Sequence, residues 1–100
     1  MAYIGKVKIP SEWTSLESLI KAQVSGQSSF AFSTSSTYSL QADGADKAEV
    51  RLCNATSAPT DEMAGEHIDR DQFGKYEPAS GATLYVKQNG ALVYLSVSEI

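Results

Sequence analysis

The first thing missing is any means of cross-linking. The chain holds one cysteine, Cys53, so no internal disulfide can form, and folding in a reducing cytoplasm is the expectation. Histidine is equally scarce, with His67 the only one. Basic residues number eight, no two of them adjacent, and the formal net charge is −4. Nucleic acid is therefore not expected as a partner, since binding phosphates takes clustered Lys and Arg. No apolar run approaches the roughly 20 residues of a membrane helix. The start Met1-Ala2-Tyr3-Ile4-Gly5-Lys6 lacks the apolar stretch of a signal peptide. The seven glycines fall singly, so no glycine-rich phosphate loop exists.

What remains is an ordinary globular composition, 42% apolar and 20% charged over 100 residues. That length suits one small domain, residues 1–100, with residues 1–10 read as either an N-terminal arm or an edge strand. The chain is rich in alternating β patterns. Thr83 to Val97 places two runs of β-branched and aromatic residues around Asn89-Gly90, and this predicts a two-residue hairpin. Its register sets Val86 against Val93 and Leu84 against Leu95 on an aliphatic face, with Tyr85 against Tyr94 on the other. A second hairpin is expected between Thr37–Leu40 and Lys47–Cys53, through an Ala42-Asp43-Gly44 loop with Gly44 in the left-handed region. Ala48, Val50 and Leu52 would then point inward. Gly5 to Ile9 alternates as a first strand, with Val7 and Ile9 on one face, and Pro10 ends it. Phe30 and Phe32 predict a strand inside a Ser/Thr-rich stretch, and a further short strand is read around Ile68, from Glu66 to Asp71.

One helix is legible. Leu16, Leu19, Ile20 and Val24 recur at helical spacing over residues 15–24. Thr14-Ser15-Leu16-Glu17 has the spacing of a capping box in which the Thr14 hydroxyl takes an amide and Glu17 reaches back. Gly26 is placed to close the far end, and Trp13 to anchor the near one. The expected fold is all-β, a small sandwich or barrel of about six to eight strands with one short helix.

Chemistry is harder to find. Asp61, Glu62, Glu66, Asp69 and Asp71 gather in eleven residues, but their spacing matches no EF-hand loop. A solvated acidic loop paired with Arg70 and Lys75 is expected, with no metal and no cofactor. His67 has no Gly-x-Ser-x-Gly elbow to serve, and Cys53 has no Cys-x-x-Cys partner, so no catalytic residue is assigned and the protein is read as a non-enzyme. Asn54-Ala55-Thr56 fits the glycosylation pattern and is discounted without a secretion signal. Residues 54–65 form the longest stretch without periodicity, a length at which loops are often functional or mobile. Trp13, Tyr3, Tyr38, Tyr76, Tyr85 and Tyr94 could supply a sugar-stacking platform, with core filling as the competing use.

Trp13-Thr14-x-Leu16-Glu17, then Tyr38-Ser39-Leu40-Gln41, Val50-Arg51-Leu52-Cys53, an Ala58-Pro59 loop with Gly65, and Leu84-Tyr85-Val86-Lys87 before a terminal hydrophobic strand make a plan of turns and strands. That plan resembles small β-rich structural proteins of tailed-bacteriophage virions, including capsid decoration and head-fibre-base proteins. The resemblance implies a non-enzymatic, homo-oligomeric virion component, made in the host cytoplasm, that binds the major capsid protein or another virion protein. It transfers no functional residue. Tyr3, Ile4, Val7 and Ile9 are the expected assembly interface, an arm able to add a strand to a neighbour's sheet. The alternative function is a carbohydrate-binding module of a tail or adhesin protein.

Overall fold

The protein is seen here in a computed structural model that describes residues 2–44, 48–69 and 73–100. Among these residues eight strands and one helix follow in the order β1 (Ala2–Lys8), β2 (Thr14–Ser15), α1 (Leu16–Gln23), β3 (Tyr38–Gly44), β4 (Glu49–Ala55), β5 (Glu66–Asp69), β6 (Phe73–Tyr76), β7 (Thr83–Gln88) and β8 (Val93–Glu99). They form two antiparallel four-stranded sheets, β1-β8-β3-β6 and β2-β7-β4-β5. The fold is mostly β and consistent with a small sandwich, as the alternating patterns predict.

The core is built by parity. In β8, Val93, Leu95 and Val97 point inward and are fully buried, while Tyr94 is exposed. Leu84 and Val86 are likewise buried in β7, and Val7 in β1, with Ile9 just beyond it. Each such side chain contributes about 1.5–3 kcal/mol by leaving water. Leu16 and Ile20 bring the apolar face of α1 into the same core.

Partners differ from expectation where parity does not. β7 and β8 lie in different sheets: β7 runs between β2 and β4, and β8 between β1 and β3. The Asn89-Gly90 reversal, with Gly90 at φ 80°, is thus an arch between sheets rather than a hairpin. Val86 and Val93 are both core residues, but each belongs to its own sheet. Tyr85 pairs with Ser15 and Cys53, and Tyr94 with Lys8 and Asp43, so the expected Tyr85–Tyr94 rung is not made. The second expected hairpin is also an inter-sheet crossing, because β3 pairs with β8 and β6 whereas β4 pairs with β7 and β5. Asp43 and Gly44 are strand residues opposite Tyr94 and Val93. A Cβ on Gly44 would lie 2.5 Å from the Leu92 carbonyl oxygen, so this glycine permits a close approach and no left-handed turn. Ala48 and Val50 are buried as expected and Leu52 is half-buried, but Lys47 lies outside the described residues. The strand around Ile68 is found over Glu66–Asp69; Arg70 and Asp71 are outside the described residues.

Three local devices are also reassigned. The N-cap is Ser15, whose hydroxyl accepts from Ser18 N–H at 3.3 Å. Thr14 is held in β2 opposite Val86, and its hydroxyl donates to Glu12 O. Glu17 does not reach back; its carboxylate accepts the Phe32 N–H at 2.9 Å. Residues 28–36 contain no strand. Phe32 instead sits at the middle of an edge-to-face cluster, with ring centroids 4.9 Å from Phe30, 4.8 Å from Tyr38 and 5.0 Å from Tyr76. The Tyr38 hydroxyl accepts Ser33 N–H. Ring contacts and side-chain acceptors hold this segment where a ladder was expected. Trp13 anchors a loop instead of the helix, its indole N–H donating to Asp61 O at 3.0 Å.

Finally, β1 is an edge strand of the first sheet, not a free arm. Val7 and Ile9 are fully buried in this chain's own core, Ile4 is half-buried, and Tyr3 is 65% exposed.

Candidate functional site

Two surfaces collect the chemically able side chains, one on the outer face of each sheet. On the first sheet, the outward positions of β1, β8 and β3 are polar: Lys6, Ser96 and Gln41 share one rung, and Lys8, Tyr94 and Asp43 the next. Lys6 donates to Asp43 at 2.8 Å across the diagonal. That hydrogen bond, with the attraction of the carboxylate, raises the Lys6 pKa above its usual value, and Tyr3 and Tyr94 act on it in the same direction. By register, Tyr94 stands on the rung of Lys8 and Asp43 and Tyr3 opposite Ser98, on the other side of the Lys6 rung, and both are exposed. Exposed large apolar side chains gathered on one face are the ordinary mark of an interaction surface. Of the six aromatics considered for stacking, Tyr38 and Tyr76 are core residues, Trp13 is engaged by the Asp61 loop, Tyr85 is half-buried on β7 of the second sheet, and Tyr3 and Tyr94 stand on this face.

The free edge of β1 is narrower than the sequence suggests. The Gln23 side-chain amide accepts Lys8 N–H at 2.8 Å and donates to Lys8 O at 3.0 Å, imitating a neighbouring strand. Val24 packs over Gly5, where an added Cβ would come within 2.6 Å of it. A register shift between Tyr3 and Gly5 interrupts the ladder further along. Such devices blunt an edge against strand addition.

The outer face of the second sheet carries the long loop. Arg51 on β4 is buried, 7% exposed, beneath residues 63–65. Its Nη2 donates to Met63 O at 2.7 Å and Gly65 O at 3.2 Å, and its Nε to Ala64 O at 3.3 Å. The Asp61 carboxylate accepts Met63 N–H, and the Asp61 carbonyl accepts from Trp13 and Ala64. Gly65, at φ 74°, is obligatory, because a Cβ there would lie 2.0 Å from Leu52 O. The loop expected to be functional or mobile is thus tied to the sheet.

The expected acidic group is dispersed. Asp61 organises the loop, Glu62 and Glu66 are exposed, and Asp71 lies outside the described residues, as does Arg70. Lys75 stands on β6 in the other sheet. The strand register instead assembles a group that the sequence reading missed: Glu49 faces Asp69 directly, and His67 is on the next rung, opposite Arg51. The ligand atoms of Glu49, His67 and Asp69 all lie within 4.8 Å of one another. Spacing along the chain gives no hint of Glu49; only the β4–β5 pairing does.

A cleft of about 410 Å³ opens between the sheets, floored by Leu40, Leu52 and Leu84 and rimmed by Lys75 and Glu77. Cys53, half-buried on β4, also borders it.

No protein-family model, curated protein or solved structure matches this chain. The function must therefore be argued from these surfaces. Among the described residues, no hydroxyl or thiol is hydrogen-bonded to His67, and the Asp69 carboxylate lies 3.7 Å from it.

Proposed function

We propose that this chain is a non-enzymatic structural component of a tailed-phage virion, a decoration protein that binds the capsid lattice through the outer face of its first sheet. The observation that carries the reading is the exposure of Tyr3 and Tyr94 on either side of the Lys6–Asp43 pair. Two aromatics with a polar centre are the composition of a protein-binding patch, in which tyrosine supplies area at low entropic cost. The loop staples and aromatic cluster support a compact, rigid body, which a lattice-bound part needs. The plan of turns and strands that resembles decoration and head-fibre-base proteins points the same way.

The test is sedimentation of the purified chain with capsids of a phage that encodes it, assembled without it. The wild-type chain is expected to co-sediment, and a Tyr3→Ser, Tyr94→Ser double variant with an unchanged melt is expected to stay in the supernatant. Equal binding by the two, or absence of the chain from purified virions, overturns the reading. The same tyrosine pair also favours the carbohydrate-binding alternative, because Ser96 lies on the rung between the two rings, with Gln41 beside it on β3, as hydrogen-bonding groups. Glycan-array binding that is lost in the double variant, with no capsid binding, would decide for that alternative.

A further inference from the structure

We propose that Glu49, His67 and Asp69 form a binding site for a divalent transition-metal ion of the zinc type, on the outer face of the second sheet. His67 and Asp69 are two apart on β5 and so share a face, and Glu49 stands opposite Asp69 on β4. Two hydrogen-bonded strands fix the three Cβ positions, so the group is set by register and owes nothing to a mobile loop. His67 Nε2 and Asp69 Oδ1 are 3.7 Å apart. Ligands about 2.0–2.2 Å from a tetrahedral zinc are separated by roughly 3.3–3.6 Å, so this pair already has nearly the required spacing. All three ligand atoms lie within 4.8 Å of one another, close enough to converge on one ion.

The donor set selects the ion. One imidazole and two carboxylates suit zinc and its first-row neighbours, whereas calcium wants six to eight oxygens. Independent of the three ligands, Asn89 at the β7–β8 arch takes hold of Glu49 twice. Its side-chain amide donates to Glu49 Oε1, and its backbone N–H donates to Glu49 O at 3.3 Å. A ligand carboxylate held by an outer partner in this way is the usual construction of a metal centre. His67 and Asp69 are exposed, which leaves the fourth position to water or to a ligand from another molecule.

The experiment is calorimetric titration of the tag-free full chain carrying Cys53→Ser, with zinc alone and then with calcium alone, alongside His67→Ala and Glu49→Gln in the same background. Cobalt absorption reports the coordination geometry. One zinc per chain, a tetrahedral cobalt spectrum, and at least a tenfold weaker zinc affinity in each variant are expected, with no saturable binding of calcium. Zinc affinity unchanged in either variant, or no saturable binding at millimolar zinc, overturns the assignment.

Discussion

Replacing Arg51 by methionine tests whether the long loop is held by one side chain. Methionine keeps the aliphatic stem and removes the guanidinium fork. Three hydrogen bonds are lost, at 2.7, 3.2 and 3.3 Å. A bond from a charged donor contributes about 1.5–3 kcal/mol and an ordinary one about 0.5–1.5 kcal/mol, so the short contact dominates and the two longer ones add less. Against this stands the cost of burying the charge, which the variant no longer bears. The carbonyls of residues 63–65 can also regain water once the loop lifts. The balance is a loss of roughly 2–3 kcal/mol. For a domain of this size that lowers Tm by about 10 °C or more. Urea melts give the magnitude, and limited proteolysis gives the location. Cleavage within residues 56–64 should accelerate more than global unfolding explains, because the core beneath does not depend on the loop. Arg51→Lys should fall between, since an ammonium cannot span three carbonyls. A methionine variant within about 0.5 kcal/mol of wild type, with unchanged cleavage in the loop, would refute the reasoning.

Other outcomes follow from the same packing. Val86→Ala should destabilise by roughly 1–3 kcal/mol in a denaturant melt, because Val86 is fully buried between β2 and β4. Deleting residues 2–9 should abolish folding by circular dichroism, since it removes Val7 and Ile9 from the core and uncovers one edge of β8; a folded, monomeric truncation would return β1 to the status of a separate arm. Burial raises the Tyr76 pKa above 10.0, with the Glu17 carboxylate and Tyr38 acting in the same direction. The folded state therefore keeps that proton to higher pH than the unfolded chain does, and stability should fall as pH rises beyond about 10. Tyr76→Phe should flatten that alkaline decline in Tm between pH 9 and 11.

Which residues face the core was legible, and which strands pair was not. Parity decides the first: Leu84 and Val86, or Val93 and Leu95, alternate with polar neighbours, and any arrangement that buries one buries the other. The helix was legible for the same reason at a different period, and its cap slipped by one residue because Thr14 and Ser15 both carry a hydroxyl. Pairing of Thr14 with Val86 settles which of them caps, and that is a tertiary fact. Phe30 and Phe32 were misread because two rings two apart suit an aromatic cluster as well as a strand. Arg51 gave a signal of its own, a cation between Val50 and Leu52 in the strand just before the long loop. Glu49 gave none, since its neighbours His67 and Asp69 come from a strand beyond that loop.

The arch at Asn89-Gly90 carries the sharpest consequence of that difference. A hairpin and an arch use the same glycine at positive φ and bury the same aliphatic rows, so hydrophobic burial does not choose between them. Hydrogen bonding does. As an arch, β7 has β2 on one edge and β4 on the other, and β8 has β1 and β3, while Gln88 N–H is taken by Pro10 O and Asn89 N–H by Glu49 O. A hairpin would set β7 against β8 and cost each of them one of those neighbours. The two arrangements predict different backbone proximities. In an antiparallel ladder, α-protons of directly opposed non-hydrogen-bonded residues approach closely enough for a strong nuclear Overhauser effect, because their Cα atoms are about 4.5 Å apart. The arch places Val93 opposite Gly44 and Tyr94 opposite Asp43, with Tyr85 opposite Cys53. Cross-peaks from β8 should therefore run to β3 and β1, and those from β7 to β4, with no α-proton contact between Tyr85 and Tyr94. A strong Tyr85–Tyr94 backbone cross-peak would restore the hairpin and would exchange the neighbours of both sheets.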